Sequence, residues 1–167
     1  IMTELIYLTD SYQKPLTTKI SAVKKNSTHF EIELARTIFY PESGGQPGDI
    51  GEITGPNGKL KVTHVRLKEY NVIHEGKLEG KIEKNDTVTA VIDWDKRMHN
   101  MRVHSGGHIL HEVVMETVPG LMPVKGEHGK QKFIEYIGQI NPKLLETIEK
   151  KTNMLIASCK PILTRMV

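Results

Sequence analysis

Apolar and polar residues alternate with a period of two from about residue 18 to residue 93, and the period then becomes helical near Asp95. A period of two puts successive side chains on opposite faces of an extended chain, so the first region can bury one face only as strands. In "THFEIELA", Phe30, Ile32 and Leu34 alternate with His29, Glu31 and Glu33. "GDIGEITGPNGKLKVTHVRL" reads as a hairpin about Pro56-Asn57-Gly58, residues suited to a tight turn. "NDTVTAVIDW" closes the region with Val88, Ala90 and Ile92 on one face. Residues 1–93 are therefore expected to form a small β domain.

Beyond Asp95, "DKRMHNMRVHSGGHILHEVVMETV" spaces Met98, Met101, Ile109, Val113 and Val114 for a helix, with Asp95 as N-cap and Pro119-Gly120 as the stop. "KQKFIEYIGQI" reads as a strand, and Asn141-Pro142 as a helix start. Leu144, Leu145, Ile148, Thr152, Leu155 and Ile156 are then expected as a buried stripe ending near Cys159, and "PILTRMV" as a final strand. The second domain, residues 94–167, is thus α+β and is expected to be incomplete at its C-terminal end.

Composition narrows the function. Aromatic residues make up only 5% of the chain, which disfavours a surface of stacked rings for single-stranded RNA. The formal charge of +3 is compatible with a polyanionic partner. The one cysteine, Cys159, excludes an internal disulfide, and no apolar run or leader pattern marks a membrane segment, so a cytoplasmic protein is expected. Cys159 is expected to be a buried or edge thiol rather than a ligand.

Two motifs carry chemistry. His104, His108 and His111 share one helix face, and two imidazoles four residues apart can grip one Zn²⁺. A pair of histidines also shares a face by chance. Gly106 and Gly107, however, each cost about 1 kcal/mol relative to alanine in a helix interior, which implies that something approaches the backbone there. Position 105 is serine, so this is not the H-E-x-x-H of a zinc peptidase. His111 would be strained as a third ligand, and His128, in a predicted loop "VKGEHGKQK", is free to approach. The second motif is the loop "YPESGGQPGDIG", in which Pro41, Gly44, Gly45, Pro47, Gly48 and Gly51 turn the chain between strands. Taken alone it is as well explained by turn geometry. It lacks the lysine and helix start of a phosphate-binding loop.

Together, "TIFYPESGGQPGDIG" and "DWDKRMHNMRVHSGGHIL" resemble the editing domain of alanyl-tRNA synthetase and its free-standing relatives, the AlaX trans-editing proteins, most of all the medium-length form. The resemblance implies an N-terminal small β-barrel-like domain followed by an α/β two-layer editing domain with a metal-binding helix. It places the family's zinc pair on His104 and His108, and its glycine-rich motif on Gly44, Gly45, Gln46, Gly48, Asp49 and Gly51. The substrate-pocket threonine falls on Thr37, while His111 has no family role. The family's other two ligands form a C-x-x-x-H after the strand matching "PILTRMV"; the sequence ends at Val167, before that point. A chain carrying that motif is expected to bind zinc stoichiometrically, and this one weakly.

The implied activity is zinc-assisted hydrolysis of mischarged tRNA(Ala), chiefly Ser-tRNA(Ala) and also Gly-tRNA(Ala), by a monomer, with no general base assigned. Lys24, Lys25, Lys96, Arg97, Arg102, Lys125, Lys130 and Lys132 are candidates to contact tRNA, with Lys96, Arg97, Arg102 and Lys125 foremost. The alternatives are a non-catalytic tRNA-binding module of the same fold, and a metallohydrolase of small esters or amides.

Overall fold

In the computed structural model, which describes residues 2–161, the chain divides into two compact units, Ile1–Asn100 and Met101–Val167. The first contains β1 (Glu4–Leu5), α1 (Ile6–Thr9), β2 (Pro15–Lys25), β3 (Phe30–Leu34), β4 (Arg36–Thr37), β5 (Gly51–Thr54), β6 (Asn57–Lys68), β7 (Asn71–Lys81) and β8 (Thr87–Ile92). Six of these strands close into a barrel in the order β2-β3-β7-β6-β5-β8, all neighbours antiparallel. Short β1 and β4 pair in parallel outside it.

The alternation in the sequence becomes the inside and outside of this barrel. Along β8, Val88, Ala90 and Ile92 are buried and Thr87, Thr89 and Val91 exposed. Ile32 and Leu34 of β3 point inward with Ile53, Leu60, Val65 and Val72 from the neighbouring strands. At the β5–β6 hairpin the Gly55 N–H donates to Gly58 O at 2.8 Å, which puts Pro56 and Asn57 at the centre of the turn. The sequence pattern does not single out β7, because three successive residues, Val72, Ile73 and His74, are all buried and break the alternation.

The helix α2 (Trp94–Thr117) starts two residues earlier than an N-cap at Asp95 implies. Asp93, not Asp95, caps it: Asp93 Oδ1 accepts from the Lys96 N–H at 3.0 Å, and Asp95 lies in the first helical turn. The division between the two units falls within this helix, after Asn100.

The second unit adds β9 (Met122–His128), β10 (Lys132–Ile137), a 3₁₀ turn (Pro142–Leu144) and α3 (Leu145–Ala157). The strand expected in "KQKFIEYIGQI" is β10, and it pairs antiparallel with β9. "VKGEHGKQK" is therefore not a loop: its first half belongs to β9, which shows little alternation in burial and so leaves no period to read. Asn141 caps the 3₁₀ turn as expected, its side chain accepting from the Lys143 N–H at 3.0 Å. The core here is small, centred on Val113, Val114, Leu121 and Ile148. Of the stripe expected on α3, Ile148 and Thr152 are buried, whereas Leu145, Leu155 and Ile156 are 53%, 41% and 48% exposed. The apolar face is wider than the layer that covers it among the described residues. Cys159 is exposed, with a left-handed backbone φ of 48°, rather than buried. The final strand expected in "PILTRMV" falls on residues 162–167, outside the described residues. No helix of the described residues is long and apolar enough to cross a membrane.

Candidate functional site

The glycine-rich segment of the first unit turns tightly at Ser43–Gln46, where the two ends exchange backbone hydrogen bonds of 3.1 and 2.9 Å. Gly44 and Gly45 both have positive φ, 57° and 75°, the conformation that a two-residue turn of this hand requires and that side chains resist. The turn leaves Gly44 exposed and Gln46 buried. Gly48 and Gly51 lie so close to the Val65 and Val91 carbonyl oxygens that neither position has room for a Cβ.

What anchors this segment is Asp49. Its carboxylate accepts from the Tyr40 N–H at 2.8 Å and from Arg97 Nε at 2.9 Å on each oxygen. Arg97 Nη1 donates to Ser11 O at 3.0 Å and Nη2 to Ile38 O at 2.6 Å. Both side chains are almost wholly buried, so the ion pair ties the glycine loop to the first turns of α2. Arg97, expected to face RNA, is therefore a structural residue with no exposed charge: its Nε, Nη1 and Nη2 atoms all donate to partners inside the first unit. Lys24, Lys25, Lys96, Arg102, Lys125, Lys130 and Lys132 are all exposed.

Thr37 is fully buried, and its hydroxyl lies 2.8 Å from His74 Nε2. The roles of donor and acceptor follow from the carbonyl at the other ring nitrogen. His74 Nδ1 must donate to Ile32 O, 2.9 Å away, so Nε2 carries a lone pair and the Thr37 hydroxyl donates to it. Thr37 Oγ1 in turn accepts from the Phe39 N–H at 3.1 Å, leaving one lone pair. Complete burial pushes the His74 imidazole down to about 4, so it is neutral at physiological pH. Sequence reasoning missed His74; a lone histidine in a short apolar run carries no signal of its partner.

The second unit gathers imidazoles. His104 and His108, one turn apart on α2, bring their Nε2 atoms within 3.1 Å. Two nitrogens bound at about 2.0–2.1 Å to one tetrahedral ion would stand about 3.3 Å apart, so the spacing of the pair matches a shared ion, and it equally matches a hydrogen bond between the two rings. His128, at the end of β9, stacks on His104 with ring centroids 4.7 Å apart. Burial, then the neighbouring imidazoles, hold His104 below the usual range, and burial does the same to His128. His111 is turned aside to Tyr136, its Nδ1 being 3.0 Å from the phenol oxygen. Gly107, His108, His111, Pro123, Val124, Lys125, Gly126, His128 and Ile134 line a cavity of about 230 Å³ beside the pair. His29, Glu31 and Glu75 also bring ligand atoms within 4.8 Å of one another on the barrel. There the Arg66 guanidinium bonds both carboxylates, so a protein cation already supplies the positive charge.

Residues 7–96 match the family described as tRNA synthetases class II (A). The chain is 35% identical to the alanyl-tRNA editing protein AlaX-L of Pyrococcus horikoshii over 96% of its own length and 40% of that protein's. It is 31% identical to the alanyl-tRNA editing protein AlaX-M of Methanosarcina barkeri, covering 96% of this chain and 68% of the relative. It is also 31% identical to the alanine–tRNA ligase of Thermoplasma acidophilum, over 99% of this chain and 19% of that enzyme. The chain thus spans well under half of the AlaX-L protein and about two thirds of the AlaX-M protein.

Proposed function

This chain belongs to the AlaX alanyl-tRNA editing family, and on that premise we propose that it hydrolyses the ester of tRNA(Ala) wrongly charged with serine, and also with glycine. The observation that carries this reading is the convergence of His104 and His108 Nε2 atoms at 3.1 Å beside a cavity with polar and apolar walls. These two residues would hold a zinc ion. When bound, that ion supplies a Lewis acid for an ester carbonyl or a water of lowered pKa. The imidazoles contribute by presenting their Nε2 atoms to the same point. Lys125, exposed at the cavity, supplies positive charge for the RNA backbone, as do Lys96 and Arg102 elsewhere on the surface. The reading places the protein in the cytoplasm as a monomer.

Selectivity is assigned to Thr37. An alanine-activating site cannot strongly reject serine, which merely adds a hydroxyl, so a second site that hydrogen-bonds this hydroxyl is useful. Because its own proton is given to His74, Thr37 can only accept, and a serine hydroxyl would donate to its remaining lone pair. Alanine would leave that acceptor unpaired; sites of this kind discriminate by factors on the order of 10⁴. Thr37 has no exposed surface, so substrate entry must rearrange what covers it.

The test is deacylation of Ser-tRNA(Ala), Gly-tRNA(Ala) and Ala-tRNA(Ala), with and without a chelator, using the full-length protein. Loss of serine release on chelation, and its return with Zn²⁺, is the expected result. Tight tRNA binding with no deacylation under any metal condition would make the protein a non-catalytic RNA-binding module.

A further inference from the structure

We propose that His128 is a positioning residue of the metal centre. Its ring holds the His104 imidazole in the ligand orientation, and Gly107 is the gap in the helix surface that admits it. This rests on the reading that His104 and His108 bind a metal.

Three observations meet at this residue. The first is contact: the His128 ring lies 4.7 Å from His104 with the planes 22° apart, and His104 in turn stacks on His108 at 4.9 Å and 23°. His104 is therefore packed against two imidazoles, one from its own helix and one from β9. The second is burial: His128 is 8% exposed, with the His104 ring against it and the Glu127 charge acting on it. The third is room. A Cβ added at Gly107 would stand 2.6 Å from His128 Cε1 and 3.1 Å from its Nδ1, whereas one added at Gly106 would meet nothing within 4 Å.

The two adjacent glycines therefore do different things. Both weaken the helix by removing a side chain, but only Gly107 lets a ring close onto the backbone. A histidine side chain has two rotatable bonds, and a metal site loses affinity when its imidazoles must be fixed at the moment of binding. By filling the space beside His104, His128 restricts that ring before the metal arrives. It acts through the ring face; its nitrogens are not required as donors.

The test is a Co²⁺ titration followed by visible absorption, with Zn²⁺ competition, on the full-length protein and its variants; neither readout depends on turnover. His128→Ala and Gly107→Ala are expected to weaken binding by about tenfold or more, the usual effect of losing a group that orients a ligand. Gly106→Ala is expected to bind as the wild type does. His128→Phe, which keeps an aromatic face and has no nitrogen, is expected to stay near wild type, while His128→Gln, which keeps polar atoms and loses the ring, is expected to fall with His128→Ala. The comparison of Gly106→Ala with Gly107→Ala stands even where a change at position 128 disturbs folding. Equal affinities across the wild type, Gly107→Ala and His128→Ala would overturn the proposal while leaving the metal site intact. A weak Phe variant beside a strong Gln variant would overturn it by making His128 a donor. A wild-type protein that binds neither metal would overturn both this proposal and the function on which it rests.

Discussion

Acidification should reveal His74 as a pH-dependent element of the barrel. Its imidazole is enclosed on all sides, with one nitrogen donating to Ile32 O and the other accepting from Thr37, and burial brings it from the usual 6.5 to about 4. An unfolded chain would take up a proton near 6.5, but the folded one resists until about 4. Between these values the unfolded state binds more protons, so stability is fully present above pH 6.5 and is lost progressively as the pH falls. The full displacement corresponds to about 3 kcal/mol, and at pH 5 about 2 kcal/mol of it is already gone. The assay is urea unfolding of the wild type and His74→Gln at pH 7.5 and pH 5, followed by circular dichroism. Glutamine can donate to one partner and accept from the other but does not titrate. His104 and His128 also lie below their usual range, and they contribute equally to both proteins, so they cancel in the difference. The wild type should lose about 2 kcal/mol more than the variant over this interval. Parallel losses would refute the inference that His74 is neutral and enclosed.

Removing the Arg97 guanidinium by Arg97→Ala should cost about 3–5 kcal/mol in denaturant unfolding, since it leaves the buried Asp49 carboxylate uncompensated. Thr37→Val should slow release of serine from tRNA(Ala) and narrow the preference for it over alanine; serine release at the wild-type rate with alanine still spared would remove Thr37 from the recognition role. Affinity for tRNA(Ala), measured by filter binding, should fall steeply with added salt, and Lys96→Ala should lessen that slope. Gly106→Ala should raise thermal stability by up to about 1 kcal/mol, because the new methyl group meets open space on a helix.

The barrel strands were readable where inward and outward positions differ: β8 alternates strictly between buried and exposed, and in β3 the buried Ile32 and Leu34 alternate with half-buried glutamates. β7 was not, since its buried run Val72–His74 has no period, and neither was β9, whose residues are mostly exposed. The histidine pair was legible because a helix converts sequence spacing directly into proximity. His128 and His74 were not, as their partners are remote in the chain and only tertiary packing joins them. Arg97 shows the opposite failure. A basic residue beside Lys96 near a helix start looks like surface charge, and only Asp49, far upstream, explains its burial. The apolar stripe of α3 was correctly periodic, yet periodicity says which residues share a face and nothing about what lies over it.

The six-stranded ring of the first unit has no outermost strand, because β2 and β8 complete it by pairing with each other. Where neighbouring strands of that ring overlap, their backbone groups are matched on both sides, and there the ring offers no bare border on which a foreign strand can continue the ladder. The ribbon of β9 and β10 has only two members, so each has one flank without a partner strand among the described residues. Recruitment of another extended segment, whether in folding, in recognition or in misassembly at high concentration, therefore belongs to the ribbon and not to the ring.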